Sequence, residues 1–259
     1  MTYISYGGAG FASTPVAPNS FTFTQTVSAD LTTEYDVGAD ATANGWDGIK
    51  PLLATITVSA KLKGAARTSG DTYAFDTGVL PAGSYVDVIV TSSGKIWGGG
   101  GNGGAGDGNI GIAGGTAMNF RVNGSVTINS GGEVVSGSGG GGGGGSKTRI
   151  VFEEQVVSAS SGGGGGWPNG AGGAAGTTPG DTGAAGTETG GGAGGLSGTD
   201  GGNGGNKNAS ATAGEAATGQ GVGGQGGDAG QQGVGIKKNG NTVSINNSGT
   251  LYGNPAQEA

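Results

Sequence analysis

Up to Trp97 the chain alternates apolar and polar residues. Beyond it, the alternation survives only as islands in glycine-rich sequence. FTFTQTV (residues 21–27) alternates cleanly, and LLATITVSAKL (52–62) has strand periodicity through Leu53, Ile56, Val58 and Leu62. Val86, Val88 and Val90 fall on one face of a third segment. A period of two predicts half-buried strands. Turn signals separate them: Asn44-Gly45 and Asp47-Gly48 around Trp46, then Gly78, Pro81 and Gly83. Trp46 is expected in the core of this β region.

One pattern then recurs, in residues 88–98, 126–136 and 243–253, with the consensus V-x-[VI]-[NT]-[SN]-x-G-x-[IVL]-x. It reads as two short strands around a turn whose glycine suits a positive φ. Asn123-Gly124 and Asn239-Gly240 precede the second and third copies, and Asn-Gly between apolar runs is a strong hairpin signal. The pattern predicts short β hairpins, one near residues 119–136, and a C-terminal β cap over 243–259.

Composition changes the picture after Trp97. Of 68 glycines, eleven precede it and fifty-seven follow. Two of the three repeats feed directly into glycine runs, IWGGGGNGG and VVSGSGGGGGGG. Flexible linkers have no reason to be bracketed by matched β motifs, nor to keep a frame. Here glycine recurs every third residue at Gly180, Gly183 and Gly186, and again from Gly192 to Gly204 and from Gly221 to Gly233. A threefold extended helix of the polyproline-II type has three residues per turn and no internal hydrogen bonds, so its amides need lateral partners. A helix enclosed by neighbours needs glycine on all three faces, whereas an edge helix needs it on one. The consecutive runs Gly139, Gly140, Gly141, Gly142, Gly143, Gly144, Gly145 and Gly162, Gly163, Gly164, Gly165, Gly166 fit the first kind, and the G-x-y runs fit the second. The expected fold is mostly β and irregular. A β attachment domain over 1–97 precedes a bundle of six to ten packed polyglycine-II helices over 98–242, with loops joining antiparallel neighbours.

Charge and chemistry narrow the function. The chain has no His and no Cys, which removes the commonest general base, thiolate chemistry and the usual metal ligands. Glu153 and Glu154 are adjacent, so on a strand they face opposite ways. No enzymatic activity, metal or cofactor is expected. A net charge of −7 argues against nucleic acid. The longest apolar stretch, PLLATITV, is too short to span a bilayer, and no signal peptide is visible at the N-terminus. Neither GGAGDGNIG nor GGLSGTDGG has the spacing of a calcium β-roll. The G-x-y runs lack the proline that collagen needs.

INSGGEVVSGSGGGGGGG and VSINNSGTLYGN resemble the tip adhesins of T-even-like phage long tail fibres. The stretch from WDGIKPLLATITVSA to IWGGGGNGG is similar to the end of some phage central tail-fibre or tail-tip proteins. The resemblance covers about two-thirds of the chain. The N-terminal segment, however, departs from the T-even attachment domain. It implies a polyglycine-II sandwich whose loops recognise an outer-membrane protein or surface glycan, carried at the tip of a virion tail or tail fibre, with other tail proteins bound through the N-terminal domain. The candidate receptor contacts are aromatic, basic and polar loop residues. They are Lys147, Arg149, Phe152 and Glu153 in the insert SKTRIVFEEQVVSASS, Trp167, Pro168 and Asn169 on GWPNG, and Asn206, Lys207 and Asn208 on a small polar loop. The other readings are packing for Trp167 and a strap of Phe152 and Val156 along the bundle. The alternative for the whole chain is a structural glycine-rich or collagen-like fibre protein that binds no specific receptor.

Overall fold

A computed structural model describes residues 19–151, 154–157, 159–176, 180–217 and 222–253. In chain order its strands are β1 (Phe21–Val27), β2 (Tyr35–Asp36), β3 (Leu52–Val58), β4 (Lys61–Lys63), β5 (Tyr73–Asp76), β6 (Tyr85–Val90), β7 (Lys95–Trp97), β8 (Thr116–Asn119), β9 (Asn123–Ile128), β10 (Glu133–Val135), β11 (Lys147–Val151), β12 (Glu154–Val157), β13 (Val222–Gly223), β14 (Ile236–Lys237), β15 (Val243–Asn247) and β16 (Thr250–Tyr252). One short helix, α1 (Val37–Ala43), follows β2 and is capped by Asp36, whose carboxylate accepts from the Ala39 amide at 2.8 Å.

The β region is a three-faced parallel coil. The first face has the order β1-β3-β6-β9-β15, the second β4-β7-β10-β16 and the third β2-β5-β8-β14, and every pairing within them is parallel. The chain visits the faces in rotation, so each circuit stacks on the one before. A bridge between Leu31 and Leu62 starts the second face one coil earlier. Inward side chains form columns. Ile56, Val88, Val126 and Ile245 are in register on the first face, and Leu62, Ile96, Val134 and Leu251 on the second. Phe75 and Met118 pair on the third, with Tyr35 before them and Ile236 after. Most of these residues are fully buried, and Trp46 lies in the same core at 5% exposure. On β3 the inward residue is Leu52, with Ala54, Ile56 and Val58; Leu53 faces out.

The predicted strands are therefore present, but the predicted hairpins are not. β8 and β9 are separated by a bend at residues 120–122 and belong to different faces, with Asn123 and Gly124 already paired in β9, and β9 and β10 also lie on different faces. The expected hairpin near 119–136 is instead a bend between two faces of the coil. The strand–turn–strand repeat is one corner of the coil, and its copies pair with one another. Val88 sits beside Val126, and Lys95 beside Glu133, as the repeat aligns them. The third copy keeps this alignment in β16, but in β15 it is Ile245 that meets Val126, a shift of two residues that preserves the inward face. Residues 243–252 thus complete sheets that begin at Phe21.

The glycine-rich sequence emerges from a single corner, between the second and third faces. The connection there grows from nine residues after β4 to eighteen after β7 and one hundred after β10. Its extended segments, some touched by single bridges, cover residues 98–106, 109–115, 136–145, 159–167, 170–176, 180–187, 190–197, 199–205, 209–217 and 224–235, and β11 to β13 lie between them. We call these segments rods, because their hydrogen bonds run sideways with a period of three. From the rod 136–145, Ser138, Gly141 and Gly144 donate to Trp167, Gly164 and Ser161. Gly137, Gly140 and Gly143 donate to Gly115, Ile112 and Asn109, and Gly142 and Gly145 to Thr212 and Glu215. Three further rods donate to its carbonyls, through Gly101 and Gly104, through Gly202 and Gly205, and through Gly227, Gly230 and Gly233. Six neighbours surround it. The rod 159–167 is enclosed in the same way, through Gly104, Asp181, Ala184, Gly192, Gly195, Gly173 and Gly202 among others.

This arrangement explains the glycine pattern. An added Cβ would lie 1.8–2.3 Å from a neighbouring backbone oxygen at each of residues 139–145, and 1.9–2.1 Å at each of 162–166. On the peripheral rod 180–187, Gly183 and Gly186 face the enclosed rod at 2.0 and 2.2 Å, while Ala184 and Ala185 are exposed. The threefold frame also runs through a turn: Gly198, at φ 84°, joins two rods whose inner glycines are Gly195 and Gly201.

Candidate functional site

Successive rods reverse direction, so their connections alternate between two ends. At the near end, beside the coil, lie residues 168–169, 188–189 and 206–208. At the far end lie the turn at 107–108, the insert after residue 145, the turn at 198, and the ends of the rods at 176, 180, 217 and 224.

The near end is a fastened joint. Trp97, last residue of β7, packs on Trp167 with ring centroids 5.0 Å apart, and the two with Val135 form a separate buried cluster. The Trp167 indole N–H donates to the Glu188 carbonyl at 3.0 Å, and that of Trp97 to the Glu133 carboxylate at 2.8 Å. Asn169 spans the joint, accepting from the Gly100 amide at 2.9 Å and donating to the Gly64 carbonyl at 3.0 Å. Glu188 accepts from Lys61 and Lys63 of β4, both at 2.8 Å, and these bonds hold its carboxyl below the usual Glu range. Lys207 reaches Glu133 on β10 at 2.6 Å. Burial pushes the Glu133 carboxyl up, but the bonds from Lys207 and Trp97 outweigh it and leave the group lowered.

Several candidate contacts therefore lie at the near end, and for Trp167 the packing reading holds. Trp167 is fully buried and Pro168 is buried with it, not presented on an open turn. The physical reason is that an enclosed rod ending at the coil gives its terminal aromatic a partner in Trp97. Asn169 is occupied in the joint. Lys207 is exposed but ion-paired, and its ammonium lies 5.0 Å from the Trp97 ring centre and 5.6 Å from that of Trp167. Asn206 is a structural acceptor for the Gly191 amide at 2.8 Å, and Asn208 turns the chain at φ 56°. Trp97, Glu133 and Glu188, which complete this joint, were not among the candidates. A signal existed: counting breaks between glycine runs assigns every second one to the same end.

At the far end the insert forms a sheet of its own, in the order β12-β11-β13, with β11 and β12 antiparallel. Lys147 and Arg149 lie in β11 and pair with Gly223 and Val156. Phe152 and Glu153 lie outside the described residues. Two large apolar side chains are exposed at this end: Ile110, at 63%, beside the 107–108 turn, and Leu196, at 74%, beside the 198 turn. Neither was anticipated. The bundle thus offers one end tied to a β coil and one end whose turns face away from it.

The family model of the phage tail fibre adhesin Gp38 matches residues 22–256. No curated protein sequence matches the chain. Among solved structures, it is similar to the crystal structure of the gp37–gp38 adhesin tip complex of the bacteriophage S16 long tail fibre. Identity is 21%, the TM-score 0.48, and the match covers 88% of this chain and 79% of that one. The match over residues 22–256 decides against a merely structural glycine-rich or collagen-like fibre, and the chain belongs to the Gp38 family of phage tail fibre adhesins.

Proposed function

We propose that this adhesin sits at the tip of a long tail fibre, attaches through the β coil to another fibre protein, and binds a bacterial outer-membrane protein or surface glycan through the far end of its glycine bundle. We read the rods as polyglycine-II helices, on the support of the three-residue bonding period and the sixfold surroundings of two of them. At about 3.1 Å per residue, residues 137–145 would extend roughly 28 Å, which separates the two ends. A core made of backbone tolerates changes in its connecting loops, because those loops contribute little to it.

One observation carries the reading. The near-end turns are used up in the joint, while the far end bears exposed Ile110 and Leu196 and the β11–β12 insert. Exposed apolar groups within a polar surround are the usual anchors of an interface. Replacing Ile110 and Leu196 together by Asp should lower adsorption to host cells by about tenfold or more, the loss of at least one anchor contact. Stability should stay within about 0.5 kcal/mol, because both side chains are exposed. Unchanged adsorption by a folded double variant would remove the far end as the binding surface.

A further inference from the structure

A groove of about 360 Å³ lies where the first face of the coil turns into the second, lined by Ser28, Ser59, Ser93, Ala60, Asp30, Lys61, Lys95, Trp97 and Glu188. It plays no part in the far-end reading. Its wall is a ladder. Ser28 and Ser59 directly follow the first-face strands β1 and β3, Ser93 comes three residues after the next one, β6, and strands on one face repeat every ~4.8 Å. Ser59 and Ser93 donate their protons to the Val27 and Ser59 carbonyls, at 3.3 and 2.9 Å, so both hydroxyls keep acceptor capacity, that of Ser93 shared with the Thr91 hydroxyl at 3.2 Å. The Ser28 hydroxyl is exposed and makes no bond among the described residues. Two ammonium groups enter. Lys61 is neutralised by Glu188 at 2.8 Å and by Asp30 at 3.8 Å. Lys95 lies over the Trp97 ring at 5.2 Å, opposite Glu133, a carboxylate that Lys207 holds at 2.6 Å.

This chemistry selects its ligand. Ala60 and the rim of Trp97 are the only apolar lining, which disfavours a lipid chain or an apolar peptide side chain. Repeated acceptors suit a molecule with a hydroxyl on each carbon, and the Lys95 ammonium, whose cross-strand carboxylate Glu133 is already bonded by Lys207, suits a carboxylate or phosphate on it. The volume falls at the lower end of the range for small-ligand sites. We propose that the groove binds a saccharide carrying an acidic group, independently of the far-end receptor contact.

The test is titration of the full-length chain with galacturonate, glucose and sodium acetate, read by tryptophan fluorescence, since Trp97 lines the groove. Galacturonate should bind about tenfold more tightly than glucose or acetate, the step expected for one charge-assisted hydrogen bond. Lys95→Gln should reduce galacturonate to the level of glucose. Ser28→Val, at an exposed position, should weaken both sugars, and it serves as the second variant if Lys95→Gln does not fold. The Ile110/Leu196 double variant should bind sugar normally, which separates this site from the far end. Acetate binding as well as galacturonate would make the groove a plain anion site. That result, equal binding of the two sugars, or binding indifferent to both groove variants would overturn the proposal, as would no binding of galacturonate.

Discussion

The β coil and the glycine bundle adjoin in one chain and solve the same problem by opposite means. In the coil, Ile56, Val88, Val126 and Leu62 stack in columns, and burial of side chains holds the sheets together. In the bundle the interior has almost no side chains to bury. Its cohesion comes from amides bonded to neighbouring rods and from the close approach that glycine alone permits. Ordering glycine is the most expensive ordering of any residue, and each backbone hydrogen bond returns only about 0.5–1.5 kcal/mol net. Such an interior is stable only when nearly every donor and acceptor is matched. The comparison teaches that a hydrophobic core forgives small changes of volume, whereas a backbone core forgives none.

That contrast is open to direct attack. The largest effect is expected from Gly142→Val, whose Cβ would lie 1.8 Å from the Gly227 carbonyl oxygen. Ordinary overpacking costs about 1–3 kcal/mol; here the obstacle is rigid backbone on every side, so the loss should exceed ~3 kcal/mol. Hydrogen exchange should show lost protection at residues 137–145 with the coil amides still protected. Equal protection in variant and parent would mean that the rods have room to spare. Trp167→Ala comes next, at about 3–5 kcal/mol for a buried tryptophan. It should loosen the joint, so limited proteolysis should separate the bundle from the coil while both remain folded. Cleavage no faster than in the parent would show that the ion pairs and Asn169 suffice.

The smallest effect concerns the carboxylates of the joint. Glu188 and Glu133 titrate below the ordinary Glu range in the folded chain, so their contribution is present above the unfolded pKa. It is lost as pH falls below about 4.5 towards the folded values. Glu188 is partly exposed, and solvent screening limits its pairs to about 0.5–1 kcal/mol. Glu188→Gln should therefore lower the melting temperature slightly at pH 7 and not at all at pH 3. An identical decrement at both values would assign the effect to packing.

The resemblance between sequence and structure differs by region. The strands were legible because alternation is a local property, visible at Phe21–Val27 and Leu52–Val58. Their partners were not. Asn123-Gly124 announces a turn, yet the chain bends at residues 120–122 and both residues already pair in β9; a hairpin and a bend between two faces of a coil leave similar sequence. What separates them is whether the next strand finds its own neighbour or the previous circuit. Between contact and packing, Trp167 is undecided in the sequence for a related reason: a tryptophan beside proline and Asn on a turn has the composition of a contact loop, and the position of Trp97 makes it a core residue. The far-end Leu196 was passed over as one apolar residue in a glycine frame.

By itself the sequence determined where glycine is obligatory. Runs of consecutive glycines mark rods enclosed on all sides, and a glycine at every third position marks rods enclosed on one, because a threefold period ties residue number to direction. The tertiary structure decided which rods are neighbours, which ends face the coil, and hence which loops are left to meet another molecule. Those outcomes rest on amides and carbonyls that are chemically alike at every residue. No local signal tells one partner from another until the whole set is bonded at once.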